Sequence, residues 1–223
     1  MKKLISLCLA MTMLLGSMVG CGKTPTSSSG NPSNSEGGGL GTPQTFKFGS
    51  TVASTHPYSI AAQNFAELVE EKSGGNMTVD LYYDSSLGDD AALMESMQMN
   101  AVTFALVGPA GIAPMCPIYE FFDLPCLFAT RDAAYSFQDS EPVLELMDSL
   151  SANGLRGLGF YENGYYAISI NAKEITTVDG LNNLKLRSMT SEMAIKSWEC
   201  LNVQPVAMAF GELFMAMQTG TVD

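Results

Sequence analysis

Strand-like and helix-like stretches alternate along this chain from Thr45 onward, and their order constrains the fold more than any other feature. Runs of alternating or continuous apolar residues predict strands at 45–49, 77–83, 103–108, 155–162, 165–170, 184–187 and 205–209. Helical spacing of apolar residues predicts helices at 59–73, 89–99, 141–151, 191–200 and 212–218. Strands joined by helices imply right-handed crossovers and a mainly parallel sheet with helices on both faces. The sequence therefore predicts an α/β fold that binds ligands beyond the carboxyl ends of its strands.

Residues 1–44 differ in composition from the rest of the chain. Residues 1–20 carry Lys2 and Lys3 before an apolar run too short to cross a bilayer, which is typical of a secretory signal peptide. The stretch "MVGC" resembles a bacterial lipobox, so Cys21 is the predicted lipidation site, and an unmodified Cys21 is the alternative. Residues 21–44 are rich in Gly, Ser and Pro and predict a flexible tether. We expect a protein anchored by lipid to the extracytoplasmic face of a bacterial cell membrane, periplasmic or at the cell surface.

The charge of the chain and its single histidine argue against several classes of function. With 11 Lys and Arg against 23 Asp and Glu, the net charge is -12, which repels a phosphate backbone and excludes nucleic acid as a partner. His56 is the only histidine, so zinc sites built on two or more histidines are excluded. We expect no enzyme, no metal and no cofactor. A secreted hydrolase with His56 as its base is kept as an alternative.

Three cysteines lie beyond residue 21, and they show no CxxC spacing. The interpretation is that Cys116, Cys126 and Cys200 are buried free thiols. Whether Cys116 and Cys126 pair stays open, because an extracytoplasmic compartment is oxidising.

One of only three arginines lies in a short strand-like stretch. Leu184 and Leu186 alternate with Lys185 and Arg187, so a strand would bury the leucines on one face and project the cations from the other. Arg187 would then lie at the carboxyl end of its strand. This geometry suits either a solvated surface or a binding cleft.

Five motifs in order give the body of the chain a resemblance to one family. They are "HPYSIAAQNFAELVEEKSGG", "SSLGDDAAL", "FFDLPCLF", "VDGLNNLKLRSM" and "VQPVAMAFGELFMAMQTGTVD". In this order they resemble the DctP-type solute receptors (solute-binding protein family 7) of tripartite ATP-independent periplasmic (TRAP) transporters. The resemblance covers nearly the whole chain from Thr45 to its last residue.

This resemblance implies a two-lobed, periplasmic-binding-protein-like receptor that closes on a small organic acid and delivers it to a TRAP membrane permease. The lobes would be residues 45–164 and 165–223. Because the sequence stops directly after a helix at "MQTGTVD", we expect a truncated chain with an incomplete second lobe. The receptor of an ABC transporter with the same two-lobed plan is the alternative within binding proteins, and oligomeric state is left open.

The resemblance also assigns ligand-binding residues. The arginine of the family's "KLR" strand pairs with the ligand carboxylate, and this position is Arg187 here. Phe210 would pack against the carbon skeleton of the ligand, and Tyr58 and Asp90 would line the cleft. A second basic residue that is frequent in the family is replaced by Tyr165 and Tyr166, so Tyr166 becomes a candidate hydrogen-bonding residue, and the choice between a monocarboxylate and a dicarboxylate stays open.

Overall fold

A computed structural model describes residues 42–171 and 174–223, so the predicted signal peptide, most of the tether and Cys21 lie outside the described residues. The first sheet has three parallel strands in the order β2-β1-β3. These strands are β1 (Gln44–Ser50), β2 (Met77–Tyr82) and β3 (Phe104–Leu106). Helix α1 (Pro57–Lys72) links β1 to β2, and α2 (Asp90–Gln98) links β2 to β3. The predicted helical crossovers and parallel pairing are confirmed.

Helix α1 begins earlier than the sequence predicts, because His56 and not Ser59 is its N-cap. The Nδ1 atom of His56 accepts a hydrogen bond from the Tyr58 N–H at 3.2 Å, which satisfies one free helix N–H group. Pro57 suits the first helical position, where no N–H is needed. Ser59 is fully buried and donates its hydroxyl hydrogen to the Ala53 carbonyl. The structure therefore gives His56 a role in shaping the loop between β1 and α1.

Several short helices follow β3 and cover the end of the first sheet. They are α3 (Pro109–Ile112), a 3₁₀ helix (Pro117–Asp123), α4 (Arg131–Gln138), α5 (Glu141–Ser149) and a second 3₁₀ helix (Leu150–Asn153). The sequence predicted α5 but no helix within residues 114–128. Met94, Tyr119, Leu150 and Leu155 form the buried cluster that joins α2 to these helices. This packing fixes the position of α2, whose first turn carries a candidate site residue.

A second sheet of two parallel strands lies in the last part of the chain. Its strands are β4 (Lys185–Ser188) and β5 (Gln204–Ala207), linked by α6 (Glu192–Glu199); α7 (Leu213–Gln218) follows β5 after a 3₁₀ turn at Phe210–Glu212. Leu186 is buried with Leu181 and Val203, whereas Lys185 is exposed and Arg187 is half-buried. The predicted alternation along β4 is confirmed.

Three details of the predicted strands are wrong. Residues 155–162 and 165–170 form neither helix nor strand, although the sequence predicted two strands there. Apolar alternation favours a strand, but a strand forms only with a partner for its backbone groups, and no described segment pairs with these residues. The continuously apolar stretch 103–108 is typical of a strand buried on both faces, yet β3 is an edge strand of its three-stranded sheet and is only partly buried.

The expected burial of the cysteines is also wrong. Cys116, Cys126 and Cys200 are free thiols, but only Cys116 is partly buried and the other two are exposed. Cys116 precedes the first 3₁₀ helix, Cys126 lies in a turn after it, and Cys200 caps the end of the helix Glu192–Glu199. Within the described residues, no helix has both the length and the apolar character needed to cross a membrane.

Candidate ligand-binding cleft

Arg187 is the central cation of the candidate site. Among residues 42–171 and 174–223 it is the one Lys or Arg side chain that is not exposed. Its Nε and Nη2 atoms both donate to the Met208 carbonyl, at 3.3 and 3.2 Å, which fixes the guanidinium beside the end of β5. Burial lowers the pKa of Arg187, while the nearby Tyr166 and Asp90 raise it. Because no described carboxylate forms an ion pair with it, the guanidinium keeps donors for an anion.

Asp90 follows a strand of the first sheet, whereas Arg187 lies in a strand of the second. It opens α2, beyond the carboxyl end of β2, and its Oδ2 accepts a hydrogen bond from the Gly108 N–H at 3.1 Å. Its Oδ1 atom is buried and has no hydrogen-bond partner among the described residues. Burial raises the pKa of Asp90, and the Gly108 N–H, the neighbouring Thr51 hydroxyl and the charge of Arg187 act against that rise. Asp90 therefore offers a free acceptor within electrostatic range of Arg187.

Two tyrosines border the same region. The Tyr166 hydroxyl contacts Met189 Sδ at 3.1 Å, just beyond β4, although 72% of the residue is exposed. The hydroxyl end of the side chain is nevertheless buried, and this burial raises the pKa of Tyr166. The charge of Asp123 raises the pKa further, and the charge of Arg187 lowers it. Tyr58, at the start of α1, has its pKa raised to about 12 by burial and by the charges of Glu162 and Tyr166. The two hydroxyls are thus close enough for the charge of Tyr166 to affect the pKa of Tyr58.

Phe210 begins the 3₁₀ turn that follows β5. It follows Met208, the residue that holds Arg187, by two positions and is 53% exposed. Next to it, a Cβ on Gly211 would be 3.2 Å from Ser85 Oγ, so the backbone of this turn approaches the loop after β2 closely. The ring of Phe210 is therefore available to an apolar part of a ligand.

The structure brings together four of the predicted residues from different elements. Tyr58 and Asp90 follow β1 and β2, Arg187 is the last residue but one of β4, and Tyr166 comes from the irregular segment between the two sheets in sequence. Carboxyl ends of parallel strands are the usual place for ligand sites in α/β folds. Phe210 borders this group, which we call the Arg187 cleft.

Sequence reasoning missed two polar residues of the Arg187 cleft. Asp123 ends the first 3₁₀ helix, is 7% exposed and keeps its Oδ2 without a partner among the described residues. Burial raises the pKa of Asp123, the neighbouring Ser191 hydroxyl lowers it, and Glu120 raises it. Ser85 Oγ is likewise buried and unpaired. No local pattern marks either one, because their burial depends on segments distant in sequence.

The backbone at Ser85 is unusual. Asp84 and Ser85 both have φ of 55°, a left-handed conformation that costs energy for residues other than glycine. Such strain concentrates at functional sites, where the surrounding structure enforces it. The described residues contain no group of three or more His, Cys, Asp or Glu side chains arranged for a metal ion.

Comparison with known protein families shows which family has this sequence and fold. The family described as "Bacterial extracellular solute-binding protein, family 7", or DctP, matches residues 48–223. The chain belongs to this family. Its two parallel sheets flanked by helices are the family fold, and the predicted α/β, periplasmic-binding-protein-like architecture is confirmed.

Named members of the family and solved structures are similar over most of this chain. The C4-dicarboxylate-binding periplasmic protein DctP of Rhodobacter capsulatus is 33% identical over 189 residues, which is 82% of this chain and 55% of that protein. The sugar acid binding protein DctPAm of Advenella mimigardefordensis, solved with galactonate, is 35% identical with a TM-score of 0.80, over 82% of this chain and 59% of that one.

A TRAP solute-binding protein of Sulfurospirillum deleyianum, solved with succinate, is 27% identical with a TM-score of 0.77, over 80% of this chain and 58% of that one. This family 7 chain therefore spans little more than half the length of the relatives it matches.

Proposed function

We propose that this family 7 protein is the solute receptor of a TRAP-type secondary transporter and that it binds a small organic acid through Arg187. The observation that carries the proposal is the half-buried guanidinium at the end of β4, which is held by the Met208 carbonyl and has no carboxylate partner among the described residues. A planar guanidinium matches a carboxylate with two parallel N–H donors, and the pair is stronger where water is excluded.

The ligands of the relatives support an acid as the ligand class. Galactonate in the Advenella protein and succinate in the Sulfurospirillum protein both carry a carboxylate, although they differ in charge and in hydroxyl groups. A carboxylate is thus the common feature that a single cation can recognise. The membrane permease of a TRAP system is the proposed partner, and the receptor performs no catalysis.

The proposed mechanism is closure of two lobes, residues 45–164 and 165–223, around the acid. Residues on both sides of the proposed boundary lie near Arg187, and two contacts across it support the division. The Glu192 N–H, at the start of α6, donates to Glu120 Oε1 at 3.3 Å, and the Gly211 backbone approaches Ser85. A ligand that binds across such a cleft selects the closed form, which the permease would then recognise.

The remaining site residues have supporting roles in this proposal. Arg187 binds the carboxylate, Tyr58 and Tyr166 donate hydrogen bonds, and Asp90 accepts one. Phe210, which is 53% exposed, packs against the carbon chain of the acid. Each role matches the position of the side chain around the cleft, and none is a catalytic role.

We also propose that the mature protein is attached to the extracytoplasmic face of the membrane through a lipid on Cys21, by way of a tether formed by residues 21–44. The "MVGC" stretch supports the lipid on Cys21. The periplasmic location named for the relatives supports the extracytoplasmic side of the membrane. Mass spectrometry of the protein from membranes tests this: a diacylglyceryl group on Cys21 that disappears in Cys21→Ser is expected. An unmodified wild-type Cys21 would contradict it.

Calorimetric titration with a panel of mono- and dicarboxylic acids tests the receptor function directly. We expect saturable binding of at least one acid, with one site per chain. Neutral sugars of the same size serve as controls and should not bind, because they carry no charge to neutralise Arg187. A panel without any binding acid would contradict the proposed function.

A further inference from the structure

Two Asn-Gly pairs occur in the sequence, Asn153-Gly154 and Asn163-Gly164, and the structure holds them in different ways. In such a pair the backbone nitrogen of the glycine can attack the side-chain carbonyl carbon of the asparagine, because glycine has no Cβ to obstruct the approach. The attack needs a glycine N–H that is free of hydrogen bonds and a peptide group that can rotate. The surroundings of each pair therefore decide whether the pair reacts in the folded chain.

The first pair is held at the end of a helix. Asn153 is the last residue of the second 3₁₀ helix and is partly buried. The Gly154 N–H donates to the Ser151 carbonyl at 3.0 Å, and the Leu155 N–H donates to the Leu150 carbonyl at 3.1 Å. Rotation of the peptide between Asn153 and Gly154 would disrupt these hydrogen bonds, so attack by the Gly154 nitrogen is disfavoured.

The second pair lies in the irregular segment before β4, and both of its residues are exposed. Among the described residues, none accepts a hydrogen bond from the Gly164 N–H. A Cβ at Gly164 would have nothing within 4 Å, so the peptide has room to rotate. Gly154 and Gly164 have nearly the same φ, 74° and 75°. The difference between the pairs therefore lies in hydrogen bonding and exposure, not in the conformation of the glycine.

Fixed contacts flank the second pair without holding the pair itself. Glu162, directly before it, pairs with Arg131 Nε on α4 at 2.8 Å. After it, the Tyr166 hydroxyl contacts Met189 Sδ at 3.1 Å. Residues 163–165 thus form a short exposed link between two held side chains, and rotation within this link breaks no backbone hydrogen bond of the described residues.

From this difference we infer that Asn163 is a modification site, at which the folded chain loses ammonia spontaneously, and that Asn153 is protected. The inference needs no ligand and no permease, so it goes beyond the proposed function and does not depend on it. Its product is a chain with one more negative charge, placed between Glu162 and Tyr166.

The reaction at Asn163 has two steps and needs only water and hydroxide. The Gly164 nitrogen gives its proton to hydroxide and forms a bond to Asn163 Cγ. The bond between Cγ and Nδ2 breaks, and the nitrogen takes a proton from water and leaves as ammonia, so that a succinimide ring remains. Water then adds to either carbonyl of the ring and opens it, which leaves aspartate or isoaspartate at position 163.

Incubation of the folded wild-type chain at mildly alkaline pH tests the inference, beside a second sample in concentrated urea. Trypsin cleaves after Arg156 and puts the two asparagines in different peptides, which mass spectrometry follows over time. Heavy-oxygen water during the incubation labels the carboxyl groups that form before digestion. In the folded sample we expect Asn163 to react about tenfold or more faster than Asn153, because Asn153 must first open its hydrogen bonds. In urea the two rates should converge, since glycine follows both asparagines.

Two glutamine variants assign the reaction to one residue. In Asn163→Gln the ring would have to close through a longer side chain, so the acidic product that ion-exchange chromatography separates should disappear over the same time. Asn153→Gln is the matched control and should form this product as fast as the wild type. A folded wild type in which Asn163 reacts no faster than Asn153 would overturn the inference, and so would an acidic product that persists in Asn163→Gln.

Discussion

Arg187 lies in the second parallel sheet and Asp90 begins the helix that follows β2 of the first, yet each shifts the pKa of the other without forming an ion pair. Burial is the larger effect on both groups, lowering the pKa of Arg187 and raising that of Asp90. Arg187 is held by the Met208 carbonyl and Asp90 by the Gly108 N–H, so neither side chain depends on the other for its position. The space between a fixed cation and a fixed acceptor is where we expect the acid to bind.

The position of Asp90 depends on the absence of a side chain at Gly111. A Cβ at Gly111 would be 2.5 Å from Asp90 Cβ and 2.8 Å from Val107 Cγ1, so Gly111→Ala must displace α2 or α3. We expect a loss of about 1–3 kcal/mol of stability from this overpacking, together with weaker acid binding. At Gly159 nothing lies within 4 Å of the added Cβ, so Gly159→Ala is the control in thermal and chemical unfolding. Equal stability of the two variants would contradict this packing.

The anchoring of α2 to the first sheet depends on Leu93. This side chain is fully buried, and its Cδ2 fills the space above the Gly49 backbone of β1. Leu93→Ala should therefore lower the free energy of unfolding by about 2–5 kcal/mol. Leu144→Ala on α5 removes the same atoms from a residue that is 49% exposed and should cost much less. Similar losses in urea unfolding for both variants would contradict the described core.

The buried carboxyl of Asp123 should make stability depend on pH. Burial raises the pKa of Asp123 above its ordinary 3.8, so the folded state holds the proton more tightly than the unfolded state. The wild type should gain stability relative to Asp123→Asn as the pH falls through the raised value, and the gain should be complete below 3.8. Paired unfolding curves across acidic pH check this. A difference that stays constant, or that shrinks as the pH falls, would contradict the burial of this carboxyl.

Local patterns in the sequence were enough to predict most elements of this family 7 chain. The alternation around Leu186 and Arg187 and the helical spacing before Gly74 depend on neighbouring residues, and both predictions are confirmed. The segments 155–162 and 165–170 show the limit of this reasoning. Their alternation is strand-like, but pairing depends on which other segment lies beside them, and that information is not local.

Some residues of the candidate site could likewise be predicted from local motifs, and others could not. Arg187, Asp90, Tyr58 and Tyr166 were predicted from motifs, and the structure brings them within electrostatic range of one another. Asp123 was missed because "FFDLPCLF" reads as an apolar loop, and only the packing of the N-terminus of α6 against its 3₁₀ helix buries the carboxyl. Ser85 was missed because a strained loop turns an ordinary surface residue inward.

The affinity of Arg187→Ala for an acid that the wild type binds is the most direct test of the receptor function. Lys185→Ala is the matched control, because it removes one cation from the same face of the same strand at an exposed position. Truncating a buried charge partner costs about 2–5 kcal/mol, so calorimetry should show a loss of roughly 30-fold or more for Arg187→Ala and little change for Lys185→Ala. Equal affinities of the two folded variants would show that the guanidinium does not bind the acid.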